Sequence, residues 1–557
     1  MLLQLSLLSK LTGGLVLTGS CHHQGTAATA PCKRRGQLAG VVVVLVGLVF
    51  QARADLWAVD FSIDPTKNVR PISRYIYGIN RPLSGPYASL PFTRVGGNRW
   101  TAYNWTNNAS NAGNDYLFQN DDYLGGGNAP GGAVAPSIQI ASSRNAGILI
   151  TVPINGYVSA DKNGGGDVRN SGSNYLRTRF HPELPVKGAP FTLTPGPTSS
   201  PVYQDEFVNW VKSVYPYSQT DPQRPIFFEL DNEPDLWSST HAEVHPNPTT
   251  YAELVQKTIQ YSSAIKSVVP GAKVFGPVNY GWYGYITLQD APDANGRDFQ
   301  AFYLAQLNAA GKTANKRLLD VLDVHWYPEA TGGGVRITAT DTTPAVVAAR
   351  LQAPRSLWDP TYTETSWITK WSTLGPITLI PRLNKKISDN YPGTGLAITE
   401  YNYGGGGHIS GGIAEADVLG IFGQQGLFAA AQWPLATNEA FIAGGLKMFR
   451  NFDGMNAAFG NVSVFASTND IASTSIYASI DSTNANRMVL VAINKTSAAI
   501  TARISMTHPG AYKVARIYQL TAASSDPRPS ATMNINPASF SYNMPAYSVS
   551  TISLTTQ

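Results

Sequence analysis

Glu233 and Glu400 are the residues whose type and setting best suit chemistry, because each stands where a short apolar run gives way to polar residues. Glu233 lies in the stretch 225–237, Pro-Ile-Phe-Phe-Glu-Leu-Asp-Asn-Glu-Pro-Asp-Leu-Trp. Its first half has the near-continuous apolar character of a strand covered on both faces in a parallel sheet. Pro234 cannot donate to a ladder, so the strand is expected to stop near Glu233. Alternation puts Glu229, Asp231 and Glu233 on one face and Asn232 on the other, unless a bulge re-aims them. At the C-terminal mouth of a barrel strand, an amide that bonds a sugar hydroxyl beside an acid that protonates a glycosidic oxygen suits glycoside chemistry. The bare tripeptide also suits a helix-capping Asn next to a solvated Glu. A glycosidase needs a second carboxylate, and Glu400 is the best candidate. Leu396, Ala397 and Ile398 lead into Thr399-Glu400-Tyr401-Asn402-Tyr403, and four glycines at 404–407 then let backbone approach a ligand closely.

Positioning two such acids takes a closed scaffold, and the chain supplies its parts. Eight short strand-like runs, at 75–80, 92–95, 147–153, 226–230, 273–278, 321–327, 395–400 and 428–433, are separated by longer, partly helical stretches. That count predicts a (β/α)8 TIM barrel with the acids ending strands four and seven. The clearest helix is expected over 249–268, where Leu254, Thr258, Tyr261, Ile265 and Val268 recur at helical spacing before Pro270-Gly271. From 456 to 557 the pattern changes to alternating runs with turn residues between them, which predicts an additional β-sandwich domain. The run 57–63 is also strand-like and lies ahead of the first barrel strand. The expected organisation is a leader over 1–54, an N-terminal strand within 55–71 that joins the sandwich, a catalytic barrel over 72–455 and a sandwich over 456–557.

Lys33, Arg34 and Arg35 precede an apolar run over 38–50, and Ala52-Arg53-Ala54 has the small-x-small form of a signal-peptidase site. The mature chain is therefore expected to start at Asp55 and to be secreted, with no membrane attachment after cleavage. The whole chain carries a formal charge of +5, but its first 54 residues hold five basic groups and no acid. The remainder is close to neutral, which gives no reason to expect nucleic acid or an anionic membrane as partner. Both cysteines, Cys21 and Cys32, also leave with the leader. A chain of this size buries a core large enough to need no disulfide.

The mature chain resembles glycoside hydrolase family 44, the endoglucanases and xyloglucanases. The resemblance is carried by Gly97-Asn98-Arg99 with Tyr103-Asn104-Trp105, Asp231-Asn232-Glu233-Pro234 with Leu236-Trp237, Asp323-Val324-His325-Trp326-Tyr327, and Thr399-Glu400-Tyr401. It implies a secreted enzyme, a monomer, that cleaves β-1,4-glucan chains such as cellulosic glucan and xyloglucan with retention, Glu233 acting as acid/base and Glu400 as nucleophile. Two carboxylates about 5 Å apart drive each other's pKa values apart, which suits those roles. Within that frame Tyr327 is expected to orient Glu400, Asn232 to bond the sugar 2-hydroxyl, and Trp433 to floor the reacting ring. Each aromatic also suits an ordinary core position. His325 divides between substrate contact and a satisfied core histidine, and Arg99 between a carboxylate or sugar contact and a structural salt bridge. Trp237, Trp282, Trp326, Trp358, Trp367 and Trp371 follow strands four to six, and some are expected to line an open cleft.

The chemistry requires no cofactor. The loop Asp161-Lys162-Asn163-Gly164-Gly165-Gly166-Asp167 has the oxygen donors and glycines of a structural calcium site, with Asp161 and Asp167 as ligands, or is a solvated polar loop. Relatives of this type commonly have Glu where this chain has Thr106, which weakens a metal there. Two other functions fit the same residues: a retaining barrel hydrolase acting on xylan or mannan, and a polysaccharide-binding protein without turnover.

Overall fold

The computed structural model describes residues 57–557; the expected leader, its cleavage site and both cysteines lie outside them. Eight parallel strands close into a barrel in chain order: Gly78–Ile79, Phe92–Val95, Gly147–Val152, Ile226–Leu230, Val274–Asn279, Val321–Trp326, Gly395–Tyr401 and Ala429–Gln432. Every residue of Ile226–Leu230 is buried, as a strand flanked by neighbours inside and helices outside requires. The helix of the fourth unit runs Tyr251–Val268. Thr250 caps it by accepting from Glu253 N at 3.1 Å, and Leu254, Thr258, Tyr261 and Ile265 form its buried stripe.

The first barrel strand is shorter than its sequence suggests. Strand is expected from residue 75, but residues 74–76 form a 3-10 turn that turns Tyr75 under the barrel. There its ring meets Phe92, Phe227 and Phe428 at centroid distances of 5.1–5.7 Å, and Phe275 joins the same cluster through Phe227. These rings seal the floor of the barrel with apolar surface. The strand that follows is pressed against its neighbours: a Cβ at Gly78 would lie 2.4 Å from the Ala430 carbonyl and 2.5 Å from the Phe92 ring, so only glycine fits.

Strand Ala58–Asp64 pairs antiparallel with Val462–Thr468 and parallel with Ile500–Met506, so residues from both ends of the described chain share one sheet. The alternating inward residues of this β-sandwich, among them Phe61, Leu490, Ile504 and Ile552, are buried. Helix Ile409–Gln425 of the barrel carries the seam between the two domains. A Cβ at its Gly420 would lie 2.2 Å from the ring of Tyr477, and at Gly412 3.0 Å from Leu520. Tyr477 donates to Asp417 Oδ1 at 2.6 Å, and Lys495 Nζ stands 2.7 Å from Asp417 Oδ2, with both charged side chains at least 98% buried. Among the described residues no helix is long and apolar enough to cross a membrane.

A buried ion pair costs most when one partner alone is removed, because the other charge is stranded. Lys495→Met is expected to lower stability by about 3–5 kcal/mol, and Asp417→Asn in the same chain to recover part of the loss. Urea unfolding measures both, and a loss below about 1 kcal/mol would show that the pair does not hold the seam.

Candidate active site

The fourth strand ends at Leu230, and the next three residues turn sharply. Asp231 and Glu233 both adopt left-handed backbone, at φ 65° and 44°. Asp231 N donates to Val152 O and Glu233 N to Val278 O, each at 3.0 Å, so the chain passes from the third barrel strand to the fifth as it leaves the fourth. This double turn overrides simple alternation. Asp231 faces away from the cleft, accepting from Ile154 N at 2.6 Å and Asn232 N at 2.9 Å, while Asn232 and Glu233 enter the site. Glu400 comes from the seventh strand, beside a register shift between Val324 and His325 on the sixth.

Arg94, on the second strand, holds these groups together. Its Nε donates to Glu229 Oε1 at 2.6 Å, its Nη1 to Glu400 Oε1 at 2.6 Å and Asn80 Oδ1 at 3.2 Å, and its Nη2 to Asn232 Oδ1 at 2.7 Å. The guanidinium is wholly buried, and a Cβ at Gly96 would lie 2.5 Å from it. Glu229 spends its other oxygen on Thr151 Oγ1 at 3.0 Å. On the far side of Glu400, Tyr327 donates to Oε2 at 2.7 Å. Burial and the Glu400 charge raise the Tyr327 phenol well above its usual range, so it remains a donor.

His325 stands between the two acids, its Nδ1 2.9 Å from Glu233 Oε1 and 3.5 Å from Glu400 Oε2. One carboxylate oxygen of each acid and the imidazole nitrogen all lie within 4.8 Å of one another. Burial lowers His325 to about 4, so the ring is neutral at working pH; its Nε2 has no partner among the described residues, where a stranded N–H would be costly, so the hydrogen belongs on Nδ1. Burial raises Glu233 to about 7, and Arg94 only partly opposes it. The site thus joins one acid that holds its proton near neutrality to a second that accepts from a guanidinium and a phenol.

Trp433 lies half-buried beside them. A Cβ at Gly97, itself at φ 98°, would be 2.7 Å from its ring, and its backbone is held by a bond from Trp433 N to Tyr401 O at 3.0 Å. Glu439 braces the loop behind it, accepting from Gln432 at 2.7 Å and Leu435 N at 2.8 Å. Other sequence candidates sit elsewhere. Trp237 and Trp326 are buried in the core and offer no ring face to a ligand, because the segments carrying them pack inward. Arg99 bonds Asp121 at 2.7 Å and lies over the Tyr123 ring, which matches its salt-bridge alternative. Asp161 is held by Arg179 at 2.7 and 3.0 Å and Asp167 by Arg169 at 2.6 Å, while Thr106 bonds Asn104 at 2.8 Å. Guanidinium groups thus occupy the oxygens a calcium ion would need. Among the described residues, the one group of three carboxylate or imidazole donors near enough to share a cation is Glu233, His325 and Glu400.

Sequence reasoning missed Arg94 and Asn80. The signal for Arg94 was a lone cation inside the four-residue strand Phe-Thr-Arg-Val, where burial demands a charged partner. Of the tryptophans after strands four to six, Trp371 is 67% exposed, and Trp367 stacks on Tyr283 at 4.9 Å with its ring 18° from parallel.

The profile of glycoside hydrolase family 44 matches residues 109–330. Endoglucanase A of Paenibacillus lautus is 42% identical over 510 residues, which cover 88% of this chain and 71% of that protein. The solved structure of a family 44 endoglucanase from Clostridium thermocellum gives a TM-score of 0.84 at 41% identity, over 89% of this chain and 100% of that one. A Paenibacillus polymyxa xyloglucanase of the same family, solved with xyloglucan, gives a TM-score of 0.84 at 38% identity, over 90% of this chain and 100% of that one.

Because folding raises Glu233 from its ordinary 4.5 to about 7, the folded chain holds this proton over a range where the unfolded chain has lost it. Its contribution is full below the unfolded pKa and is lost as pH rises through the folded one. Glu233→Gln should therefore gain on the native chain by about 3 kcal/mol between pH 4 and 8. Urea midpoints across that range test this; a stability difference that stays constant would place the Glu233 titration near that of an exposed glutamate.

Proposed function

The chain belongs to glycoside hydrolase family 44, and on that premise we propose that it is a secreted, retaining endo-β-1,4-glucanase active on xyloglucan, with Glu233 as acid/base and Glu400 as nucleophile. The observation that carries the mechanism is that one carboxyl oxygen of Glu233 lies within 4.8 Å of one of Glu400, which fits the carboxyl separation of roughly 5–5.5 Å used for double displacement. An inverting site needs roughly 6.5–9.5 Å for a water between its acids.

In the first step Glu400 attacks the anomeric carbon, the glycosidic C–O bond breaks, and Glu233 gives its proton to the leaving oxygen. The product is a glycosyl ester on Glu400. In the second step Glu233 takes a proton from water as that water attacks the same carbon, freeing Glu400. Arg94 and Tyr327 fix Glu400 at its two oxygens, so the nucleophile pays little reorganisation on attack. The neutral His325 donates to Glu233 Oε1, which directs the acid's own proton to Oε2. Trp433 floors the reacting sugar. The segments after strands five and six carry the exposed Trp371 and the Tyr283–Trp367 stack, aromatic faces suited to sugar units further along the chain. No metal takes part in these steps.

Glu233→Ala is expected to retain glycosylation of an aryl β-glycoside whose leaving group needs no proton, and azide should restore turnover and give a β-glycosyl azide. Glu400→Ala with azide gives at most the α-azide, by direct attack from the opposite face. A β-azide from Glu400→Ala, or inverted sugar from the native enzyme, would overturn the assignment; both are read by NMR of the products. With wild-type enzyme, kcat/KM should fall as pH rises through about 7, where Glu233 loses its proton. Trp371→Ala should raise KM for xyloglucan by roughly tenfold and leave a short aryl glycoside unaffected. Equal effects on both substrates would remove Trp371 from the distal surface.

A further inference from the structure

The centre of the barrel holds more carboxyl groups than cations. Asp323 and Glu229 have no exposed surface, and Glu400 is nearly as buried. All three lie around one guanidinium, that of Arg94. Arg94 directs its N–H groups to Glu229, Glu400, Asn232 and Asn80, and makes no hydrogen bond to Asp323. His325, on the same strand as Asp323, is turned to Glu233 and Glu400. Asp323 therefore has no hydrogen-bonded cation among the described residues; its Oδ2 meets no N–H or O–H donor there, and the carboxyl group within hydrogen-bond reach of Asp323 is that of Glu229. An ionised carboxylate left unpaired at such a depth is strongly disfavoured.

The hydroxyl of Thr399 makes the same point through its one hydrogen. Its Oγ1 lies 2.8 Å from Asp323 Oδ1 and 3.4 Å from Glu229 Oε1. One hydrogen cannot serve two ionised acceptors. If Asp323 carries a proton, the cluster is satisfied: Thr399 O–H donates to Asp323 Oδ1, its nearer acceptor, and Asp323 O–H donates to Glu229. Glu229 in turn accepts from Arg94 Nε, and Arg94 Nη1 donates to Glu400.

We propose that Asp323 is a positioning residue that stays protonated at working pH and, oriented by Thr399 and acting through Glu229, holds Arg94 against Glu400. A neutral Asp323 leaves the guanidinium shared between two anions instead of three. Burial and the neighbouring Glu229 charge both push the Asp323 carboxyl well above the carboxylate range, with Arg94 opposing them. The proton follows from the geometry of the barrel centre alone; its kinetic consequence rests on Glu400 being the nucleophile.

Infrared difference spectroscopy of the full chain, wild type minus Asp323→Asn, tests the proton directly. The wild type should show the carbonyl stretch of a protonated carboxylic acid, shifted in D2O and absent from the variant. Asn keeps the shape and donor without a charge, so Asp323→Asn should leave both limbs of the pH profile in place. Thr399→Val removes the hydroxyl that orients the Asp323 carboxyl toward Glu229 and leaves the carboxyl intact; its kcat should fall by more than about tenfold while KM changes less than about twofold. No acid band in the difference spectrum, or an acidic limb that moves by about one pH unit or more in Asp323→Asn, would overturn the proton. Wild-type kcat in Thr399→Val would overturn the positioning role. Failure of the Glu400 assignment would appear instead in the azide products and leave the infrared band untouched.

Discussion

The buried guanidinium of Arg94 is the interaction on which the rest of the site depends. It bridges the second, fourth and seventh barrel strands and the Asn232 turn, so it fixes in space residues that are far apart in the chain. A cation with no exposed surface requires anions around it, and this accounts for Glu229 beneath the site as well as Glu400 within it. The same requirement explains the glycine at 96, where any side chain would collide with the guanidinium. The apolar floor built on Tyr75 and four phenylalanines keeps water from the lower barrel, so these charges act in a medium where electrostatic interactions are strong.

Within that frame the two acids differ because their neighbours differ. Glu400 receives donors at both oxygens, from Arg94 and Tyr327. Glu233 sits beside a neutral imidazole and is governed by burial. The left-handed backbone at Asp231 and Glu233 brings the second acid to the first, since a regular strand continuation would have carried Asp231 into the cleft. Strained backbone at this point is kept by bonds to strands on either side.

Much of this could be read in the sequence, and the limits have physical causes. Short apolar runs ending in an acid revealed the fourth and seventh strands, because full burial leaves a continuous hydrophobic signature. The (β/α)8 barrel and the additional β-sandwich followed from the change between these runs and the alternating pattern after residue 456. The first strand was overextended because Tyr75 and Ile76 have strand-like character, while packing against the floor decides their conformation. Strict alternation failed after Leu230 because it holds only while the strand does. Arg94 carries no local pattern: its partners come from three distant segments, and only folding brings them together. Arg99 drew attention by lying in a motif, yet its guanidinium is taken by Asp121. Trp237 and Trp326 show the limit of reading aromatics near a mouth as ligand surfaces, since nothing in local sequence separates a ring that faces a cleft from one that faces the core.

The sheet that joins residues from both ends of the described chain also sets an order of assembly. Asp60 meets Arg503 across 443 residues, within a pairing that runs from Ala58 to Ile63. At roughly 5–20 residues per second, synthesis takes roughly 20–90 s to deliver the partner strand. The barrel, whose strands pair in chain order, can close in that interval. The early strand, apolar on alternate residues, must wait with its edge unpaired until the last hundred residues emerge. During that time it is open to wrong pairing with other chains. Aggregation of nascent or truncated chains would thus begin at this strand, far from the cleft where the chemistry is done.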